Sequence, residues 1–269
     1  MKLCLSDGRA IADPAHAIAV NDRGLNYGDG VFETMFLRDG RVRFLDAHLQ
    51  RLQTSCERLG IALALADVEA DVASICSQAA DGVLKIVVTR GSGGRGYRPD
   101  QGMRSHRILT VHDLPAREPR AELAVRWCDV RMSSNAMLAG MKHLNRLEQV
   151  LAQNEWHDAR IGEGLMLDTE GELVSGTASN VFIVRGGTLL TPDLRFCGVR
   201  GVMRAQVLRA ARELGLSCGE EPLWPEDLHE ASEVFLTNSV RGIRSVTALG
   251  DQRWTTTDTA RQIAGALQL

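Results

Sequence analysis

The segment that most constrains the fold of this chain is a charged, proline-containing stretch near its middle, Leu114–Arg120. Pro115 and Pro119 stand among charged residues there, and this composition disfavours both helix and strand. We therefore predict an interdomain linker over residues 114–121. It separates an N-terminal α/β domain, residues 1–113, from a C-terminal domain, residues 122–269, and a chain of 269 residues can form two domains of ordinary size.

Both halves mix strand and helix patterns, which predicts an α+β fold with mixed sheets. In the first half, apolar residues recur at helical spacing from Leu45 to Leu59, and Gly60 is a plausible stop. Strands are predicted at Val83–Thr89 and Arg107–Val111. The second half has predicted strands at Leu123–Cys128, Leu165–Leu167, Val181–Val184 and Glu233–Leu236, and predicted helices over Val202–Leu214 and along an apolar stripe of Leu144, Leu147, Val150 and Leu151.

Composition narrows the possible functions. A net charge of −3 and a pI near 6.2 argue against nucleic acid or an anionic membrane as the main partner. The N-terminus has a polar turn too early for a signal peptide, and no apolar run approaches transmembrane length, so a cytoplasmic location is expected. The six cysteines and seven histidines are scattered without metal-ligand spacing, so no metal site is expected.

Lysine usage points to one candidate catalytic residue. Of the 31 basic residues only three are lysine, namely Lys2, Lys85 and Lys142. A retained lysine can lose its proton and form a Schiff base with a carbonyl, which an arginine cannot do. Lys142 stands between a predicted loop and a predicted helix, a suitable place for a reactive amine. The alternative is an ordinary surface lysine in a lysine-poor protein.

Four segments together resemble a known family: Asp22–Thr34, Arg90–Tyr97, Lys142–Val150 and Ser179–Phe182. Over nearly the whole chain they resemble the class IV (fold type IV) pyridoxal-phosphate enzymes, which include branched-chain and D-amino-acid aminotransferases and aminodeoxychorismate lyase. Segments Arg90–Tyr97 and Lys142–Val150 are most similar to the lyase branch. The resemblance implies a two-domain fold like that of D-amino-acid aminotransferase, a homodimer, and pyridoxal 5′-phosphate as the cofactor.

The resemblance also implies which residues hold this cofactor. Lys142 would bind it covalently and later act as the general base. Arg51 would bind the phosphate through its guanidinium, and so would the backbone N–H groups of Val202 and Met203 at a helix N-terminus. Ser239 would lie near the phosphate, although a polar turn at a strand end is nearly as good an interpretation.

Other matched residues are expected to contact the substrate. Thr34 takes the place of a glycine that branched-chain relatives usually have, and the resemblance implies a role in proton delivery. Tyr27 would form a wall of the substrate pocket. Arg95 and Tyr97, in the glycine-rich loop, would meet substrate carboxylates; a mobile surface turn is the alternative for this loop.

One position departs from the family pattern. Relatives usually carry a glutamate that binds the pyridine nitrogen of the cofactor, and counting back from Asn180 and Phe182 places Ser175 there. Glu172 would need a register shift to replace that glutamate. A hydroxyl holds the ring proton less well than a carboxylate and makes the ring a weaker electron sink. We therefore hypothesise that Ser175 permits elimination and disfavours efficient transamination.

The resemblance thus implies a lyase that converts 4-amino-4-deoxychorismate to 4-aminobenzoate and pyruvate in folate biosynthesis. A class IV aminotransferase acting on branched-chain or D-amino acids is the first alternative. A relative that binds the cofactor without catalysis is the second, and only Ser175 favours it.

Overall fold

The computed structural model describes residues 1–115 and 123–269 and has the α+β character predicted from the sequence. The chain divides into two compact units, one comprising Met1–Arg117 and Met141–Asn145, the other comprising Glu118–Gly140 and Arg146–Leu269. Of the predicted linker, residues 116–121 lie outside the described residues. In the described ranges no helix is long and apolar enough to cross a membrane.

The first unit is built on a six-stranded sheet with the strand order β2-β1-β6-β5-β3-β4. Its strands are β1 (Leu3–Ser6), β2 (Arg9–Ala10), β3 (Gly30–Arg38), β4 (Arg41–Val42), β5 (Gly82–Thr89) and β6 (His106–His112). Its helices are α1 (Arg23–Tyr27), α2 (Leu45–Leu59) and α3 (Leu65–Gln78), and a short 3₁₀ helix covers Pro14–His16. All the pairings in this sheet are antiparallel.

The core of the first unit lies on one face of this sheet. Along β3, the buried residues Val31, Glu33, Met35 and Leu37 alternate with the half-buried Phe32, Thr34 and Phe36. The period of two places these sets on opposite faces. The buried face belongs to a cluster that includes apolar residues of α2 and α3, and α2 ends at Gly60 in the left-handed conformation, which confirms the predicted stop.

The segment Met141–Asn145 belongs to the first unit, which corrects its predicted assignment to the C-terminal domain. The reason is backbone pairing with the start of β3. The N–H of Phe32 donates to the carbonyl of Lys142 at 2.9 Å, and the N–H of Leu144 donates to the carbonyl of Gly30 at 3.0 Å. An antiparallel bridge joins Val31 and His143.

The second unit contains a nine-stranded sheet with the order β12-β11-β10-β13-β14-β7-β8-β9, and β15 pairs with β14. Its strands are β7 (Leu123–Trp127), β8 (Ile161–Leu167), β9 (Leu173–Gly176), β10 (Asn180–Arg185), β11 (Thr188–Pro192), β12 (Cys218–Glu221), β13 (Glu233–Asn238), β14 (Gly242–Leu249) and β15 (Gln252–Arg253). Its helices are α4 (Leu147–Gln153), α5 (Val202–Glu213), α6 (Pro225–Glu230) and α7 (Asp258–Ala266). The predicted helix over Val202–Leu214 and the four predicted strands are thereby confirmed.

Helix α4 departs from its prediction. It begins at Leu147, so Leu144 lies outside it. The rest of the apolar stripe does not enter the core: Leu147, Val150 and Leu151 are 76, 52 and 56% exposed. Ala152 is the buried residue of this helix. The chain by itself therefore leaves an apolar helix face uncovered.

Candidate active site

The predicted site residues fall into two groups. Lys142, Thr34, Arg51, Tyr27, Arg95 and Tyr97 lie in the first unit, and Ser175, Val202, Met203 and Ser239 lie in the second.

Lys142 is half-buried beside the first residues of β3. Its backbone is fixed by the hydrogen bond from Phe32, and its Nζ atom lies 4.3 Å from the centroid of the Phe32 ring. A cation at this distance from an aromatic face is attracted by the ring quadrupole. The amine is thus held on the half-buried face of the first sheet.

Two glycines make room for the Lys142 segment. Gly28 has φ +65°, and a Cβ atom there would lie 2.2 Å from Oδ1 of Asn145. A Cβ atom at Gly30 would lie 2.8 Å from Cδ1 of Leu144 and 2.4 Å from the carbonyl oxygen of Val88 on the neighbouring strand β5. Larger residues at either position would push the segment out of register, which gives a physical reason for both glycines of the Asp22–Thr34 motif.

Thr34 lies on the same face of β3 as Phe32, and its direct cross-strand partner is Lys85 of β5. Lys85 Nζ lies 5.3 Å from the same Phe32 ring centroid. The amines of Lys85 and Lys142, at 5.3 and 4.3 Å from one ring centre, are therefore no more than about 10 Å apart. Among the described residues, no ion pair includes Lys85. Sequence reasoning counted Lys85 among the three lysines but assigned it no role.

The glycine-rich loop is held by Arg23, which sequence reasoning missed. Arg23 is only 3% exposed and donates to the carbonyls of Gly96 at 2.9 Å and Tyr97 at 2.7 Å. Its guanidinium also lies 4.8 Å from the ring centroid of Tyr27, whose hydroxyl accepts a hydrogen bond from the N–H of Gly96. The Tyr27 and Tyr97 rings meet edge to face at 5.7 Å. The structure therefore brings Tyr27, Arg95 and Tyr97 together, with the side chains of Arg95 and Tyr97 exposed.

Arg51 is held by a buried carboxylate. Its Nε donates to Glu33 Oε1 at 2.7 Å and its Nη2 to Glu33 Oε2 at 2.5 Å, while Nδ1 of His48 lies 2.7 Å from the same Oε2. Burial raises the pKa of Glu33, but the charge of Arg51 and the hydrogen bond from His48 outweigh it, so the pKa lies below its ordinary value.

In the second unit, the loop before α5 forms an uncapped helix N-terminus. Val202 and Met203 bury their side chains and begin the helix, and Gly201, its N-cap, has no side chain to bind their N–H groups. Asn180 holds the loop, because its Nδ2 donates to the carbonyl of Val199 at 2.9 Å. A Cβ atom at Gly201 would lie 2.1 Å from Oδ1 of Asn180. This N-terminus has the donors and the dipole that an anion requires.

Ser239 lies in the turn between β13 and β14. Oδ1 of Asn238 accepts from the N–H groups of Val240 at 3.1 Å and Arg241 at 2.7 Å and so fixes this turn. Asn180 pairs directly with Thr237 across β10 and β13. The polar residues that hold the turn and the helix N-terminus therefore lie on neighbouring strands.

Ser175 is buried in β9, 7% exposed, and its Oγ donates to the carbonyl of Gly176 at 2.8 Å. It pairs with Met166 of β8. Glu172 precedes the strand and forms an ion pair with Arg195 at 3.1 Å. The β8–β9 pairing has a register irregularity between Met166 and Leu167, and Glu172 stays outside β9, which begins at Leu173.

A second buried carboxylate, Glu163 of β8, was also missed. It is 3% exposed and accepts hydrogen bonds from Thr177 and Ser179. Arg244 donates to it at 3.3 Å.

Comparison with known proteins places the chain in a family. The model of amino-transferase class IV matches residues 30–249, and the chain belongs to that family. This confirms the class IV resemblance and its fold type IV architecture.

Three proteins illustrate the similarity. The solved structure of 4-amino-4-deoxychorismate lyase from Pseudomonas aeruginosa is 43% identical with a TM-score of 0.95, covering 99% of this chain and 98% of that one. Aminodeoxychorismate lyase of Vibrio harveyi is 31% identical over 88% of this chain and 89% of its own. A putative branched-chain-amino-acid aminotransferase of Methanocaldococcus jannaschii is 32% identical over 90% of this chain and 86% of its own.

Proposed function

We propose that this enzyme is a 4-amino-4-deoxychorismate lyase that uses pyridoxal 5′-phosphate and releases 4-aminobenzoate and pyruvate. The observation that carries the proposal is the placement of Lys142 and Lys85 beside one Phe32 ring, next to Thr34. One amine serves the chemistry, and the other supplies a positive charge suited to an anionic substrate. The high identity with the Pseudomonas aeruginosa lyase supports the same assignment.

The residues present fit the proposed cofactor. In the first unit, Lys142 would bind its aldehyde carbon and Arg51 its phosphate, as the resemblance implies. For the second unit, the resemblance assigns the phosphate to Ser239 and to the N–H groups of Val202 and Met203, and the ring nitrogen to Ser175. The uncapped N-terminus of α5 is the specific fit, because it needs an anion or water to satisfy its donors. When bound, the cofactor withdraws electrons from the carbon that carries the substrate amine and so acidifies its proton.

The chain's own residues then move two protons. The Lys142 amine removes the proton from ring C4, the electrons form the aromatic ring as the C3–O bond breaks, and enolpyruvate leaves. The Thr34 hydroxyl would relay a proton to the methylene carbon of enolpyruvate, which becomes pyruvate. Both steps require donors and acceptors held in position. Thr34 lies on the same face of β3 as Phe32, and the Lys142 amine lies over the Phe32 ring.

The substrate carries two carboxylates, and the first unit provides cations for them. Lys85 lies directly across from Thr34 and is half-buried, so an ion pair there would be weakly screened. Arg95 stands in the loop that Arg23 and Tyr27 hold in place. We assign one carboxylate to Lys85 and the other to the Arg95–Tyr97 loop, with Tyr27 as a wall of the pocket.

A class IV aminotransferase is the second candidate, favoured by the similarity to the Methanocaldococcus jannaschii protein. Ser175 opposes it, because a neutral hydroxyl lacks the negative charge by which a carboxylate keeps the pyridine nitrogen protonated. The two candidates separate in one assay. A transaminase converts the cofactor to its pyridoxamine form on addition of an amino acid alone, and the lyase does not.

We also propose that the enzyme is a homodimer, as the resemblance implies. The exposed apolar face of α4, formed by Leu147, Val150 and Leu151, supports an intermolecular contact. A second copy would remove this face from water and contribute the usual hydrophobic stabilisation.

The test of the proposed function has two parts. Borohydride treatment of the cofactor-loaded enzyme, followed by peptide mass mapping, is expected to place the reduced adduct on Lys142. Pyruvate release from 4-amino-4-deoxychorismate, followed by a coupled dehydrogenase, is expected for the wild type and abolished in Lys142→Ala. An adduct elsewhere, or no pyruvate from the loaded wild type, would refute the proposal.

A further inference from the structure

Glu163 lies at the centre of a chain of hydrogen bonds in the second unit. Its two oxygens accept from the Thr177 hydroxyl and, at 3.0 Å, from the Ser179 hydroxyl. Thr177 in turn accepts from the side-chain amide of Gln153, and Ser179 accepts from Nδ2 of Asn238 at 3.3 Å. This series of hydrogen bonds therefore connects α4, through Glu163, to the turn that contains Ser239.

The charge of Glu163 sets the direction of these bonds. An ionised carboxylate only accepts, so both hydroxyls must point their protons at Glu163. Their oxygen lone pairs are then left to accept from Gln153 and Asn238. Glutamine has the same shape but carries two N–H donors in place of one oxygen. In Glu163→Gln, one of the two hydroxyls, Thr177 or Ser179, would therefore lose its acceptor and face the N–H₂ group of the glutamine, donor to donor.

The carboxylate also packs tightly against the backbone that it holds. A Cβ atom at Gly176 would lie 3.1 Å from Cγ of Glu163, so the glycine allows this close approach. The N–H of Thr177 donates to the carbonyl of Gly164 at 3.0 Å, which ties the same segment to β8. Arg244 balances the charge at 3.3 Å. Glu163 is thus an ionised anchor for residues 176–179.

Two elements proposed to bind the phosphate depend on this anchor. Asn238 bonds Ser179 through Nδ2 and fixes the Ser239 turn through Oδ1. Asn180, the next residue after Ser179, holds the loop before α5 through Val199. A shift of Ser179 would therefore move both the Ser239 hydroxyl and the N-terminus of α5.

We infer that Glu163 is a positioning residue for the phosphate end of the cofactor site. It touches neither substrate nor cofactor and acts through Ser179 and Asn238. The inference rests on the proposed function, since it requires that pyridoxal 5′-phosphate bind here.

The experiment compares two ligands of the apo-protein, pyridoxal 5′-phosphate and pyridoxal, which lacks the phosphate. Dissociation constants are measured by the change in visible absorption for the wild type, Glu163→Gln and Ser179→Ala. We expect both variants to bind pyridoxal 5′-phosphate on the order of tenfold more weakly, the size that loss of one hydrogen bond has. Their affinity for pyridoxal should change by less than about twofold, because no phosphate is bound.

Glu233→Gln is the matched control. Glu233 is as buried as Glu163 and lies in the same unit, but it binds the N–H groups of Thr259 and Ala260 at the start of α7. Its substitution should leave both dissociation constants unchanged, whatever it does to stability. Ser179→Ala keeps the Glu163–Arg244 ion pair and so remains informative if Glu163→Gln fails to fold.

The outcomes are distinct. Wild-type affinity for pyridoxal 5′-phosphate in both variants would overturn the inference, and so would an equal loss for both ligands, which indicates a general structural effect. If the wild type binds neither ligand, the proposed function itself fails. Selective loss of the phosphorylated ligand, with an unaffected Glu233→Gln, supports the inference.

Discussion

The carboxylate of Glu33 binds one edge of the Arg51 guanidinium through two hydrogen bonds, from Nε to Oε1 at 2.7 Å and from Nη2 to Oε2 at 2.5 Å. The Glu33 side chain is 2% exposed and that of Arg51 is 14% exposed, so the pair is screened weakly by water. His48, itself buried, adds a third contact to the same carboxylate. A cation held in this way keeps its orientation before any ligand arrives.

Removal of the Glu33 charge should therefore destabilise the protein. Glu33→Gln removes the buried carboxylate charge that binds Arg51 and His48, and we expect a loss of about 3 kcal/mol in the free energy of unfolding. Urea denaturation of the apo-protein measures it. The control is Glu57→Gln, at an exposed position of α2, the helix that carries Arg51. Its free energy of unfolding should stay within about 0.5 kcal/mol of the wild-type value. A similarly small effect of Glu33→Gln would show that the ion pair contributes little.

Stability should depend on pH through His106. A hydrogen bond to Asp22 raises the pKa of His106 above its ordinary value, although burial opposes this. Nδ1 of His106 lies 3.4 Å from Asp22, its Nε2 lies 2.7 Å from the Ser6 hydroxyl, and Asp7 and Arg107 add opposing charges nearby. Because the folded pKa is raised, the stabilisation is fully present below the unfolded value of about 6.5 and is lost as the pH rises through the folded pKa.

Unfolding free energies between pH 5 and pH 9 test this pH dependence for the wild type and for Asp22→Asn, which keeps a side chain able to cap α1. The decline should flatten in the variant. If the free energy of unfolding of Asp22→Asn falls with pH as steeply as that of the wild type, the His106–Asp22 pair is not the source of the pH dependence.

Lys85 should act on substrate binding more than on the chemical step. Lys85→Met removes the proposed carboxylate partner, and loss of a charge-assisted hydrogen bond costs about 1.5–3 kcal/mol. We expect KM to rise by about tenfold to a hundredfold, with kcat and cofactor affinity nearly unchanged. Lys85→Arg should recover part of the loss. A fall in kcat with constant KM would place Lys85 in the chemistry instead.

Ser175 should control the choice between elimination and transamination. Ser175→Glu supplies the carboxylate that relatives use, strengthens the electron sink and should raise the rate at which an amino acid alone converts the cofactor to its pyridoxamine form. Stopped-flow absorbance measures that half-reaction. Ser175→Gln, similar in size but uncharged, is the control. An unchanged or reduced rate in Ser175→Glu would contradict the hypothesis.

The exposed face of α4 should be needed for assembly. Leu147→Glu and Leu151→Glu place a charge on this face, and each should shift a dimer to the monomer in light scattering. The control is Glu148→Gln on the same helix, which should leave the molecular mass of the assembly in solution unchanged. The glutamine oxygen can still accept the hydrogen bond that Glu148 receives from the N–H of Ser133. A monomeric wild type at micromolar concentration would refute the proposed homodimer.

Local patterns predicted most of the secondary structure, because periodicity and turn chemistry act within a few residues. Helix α2 and strand β5 follow directly from such signals. The apolar stripe predicted for α4 is largely exposed, because periodicity marks an apolar face without showing what covers it.

The site was harder to predict where its partners are distant in sequence. Glu163 and Arg244 are 81 residues apart, and Arg23 reaches a carbonyl 74 residues away. No local sequence pattern marks Glu163, Arg244 or Arg23, because the role of each depends on a contact that only the folded chain creates. Lys142 was found because its chemistry is rare in this chain, whereas its place in the first unit depends on backbone pairing with Phe32.

The backbone pairing between Phe32 and Lys142 means that the polypeptide cannot be divided between its two units without separating the lysine from β3. The chain leaves the first unit, returns for only five residues, Met141–Asn145, and leaves again. A cut at the proline-containing segment would yield an N-terminal fragment whose β3 lacks its partners His143 and Leu144, and a C-terminal fragment that carries the reactive lysine without the strand that orients it. Neither fragment alone would hold the Lys142 amine in position, so catalysis would return only when both polypeptides reassemble.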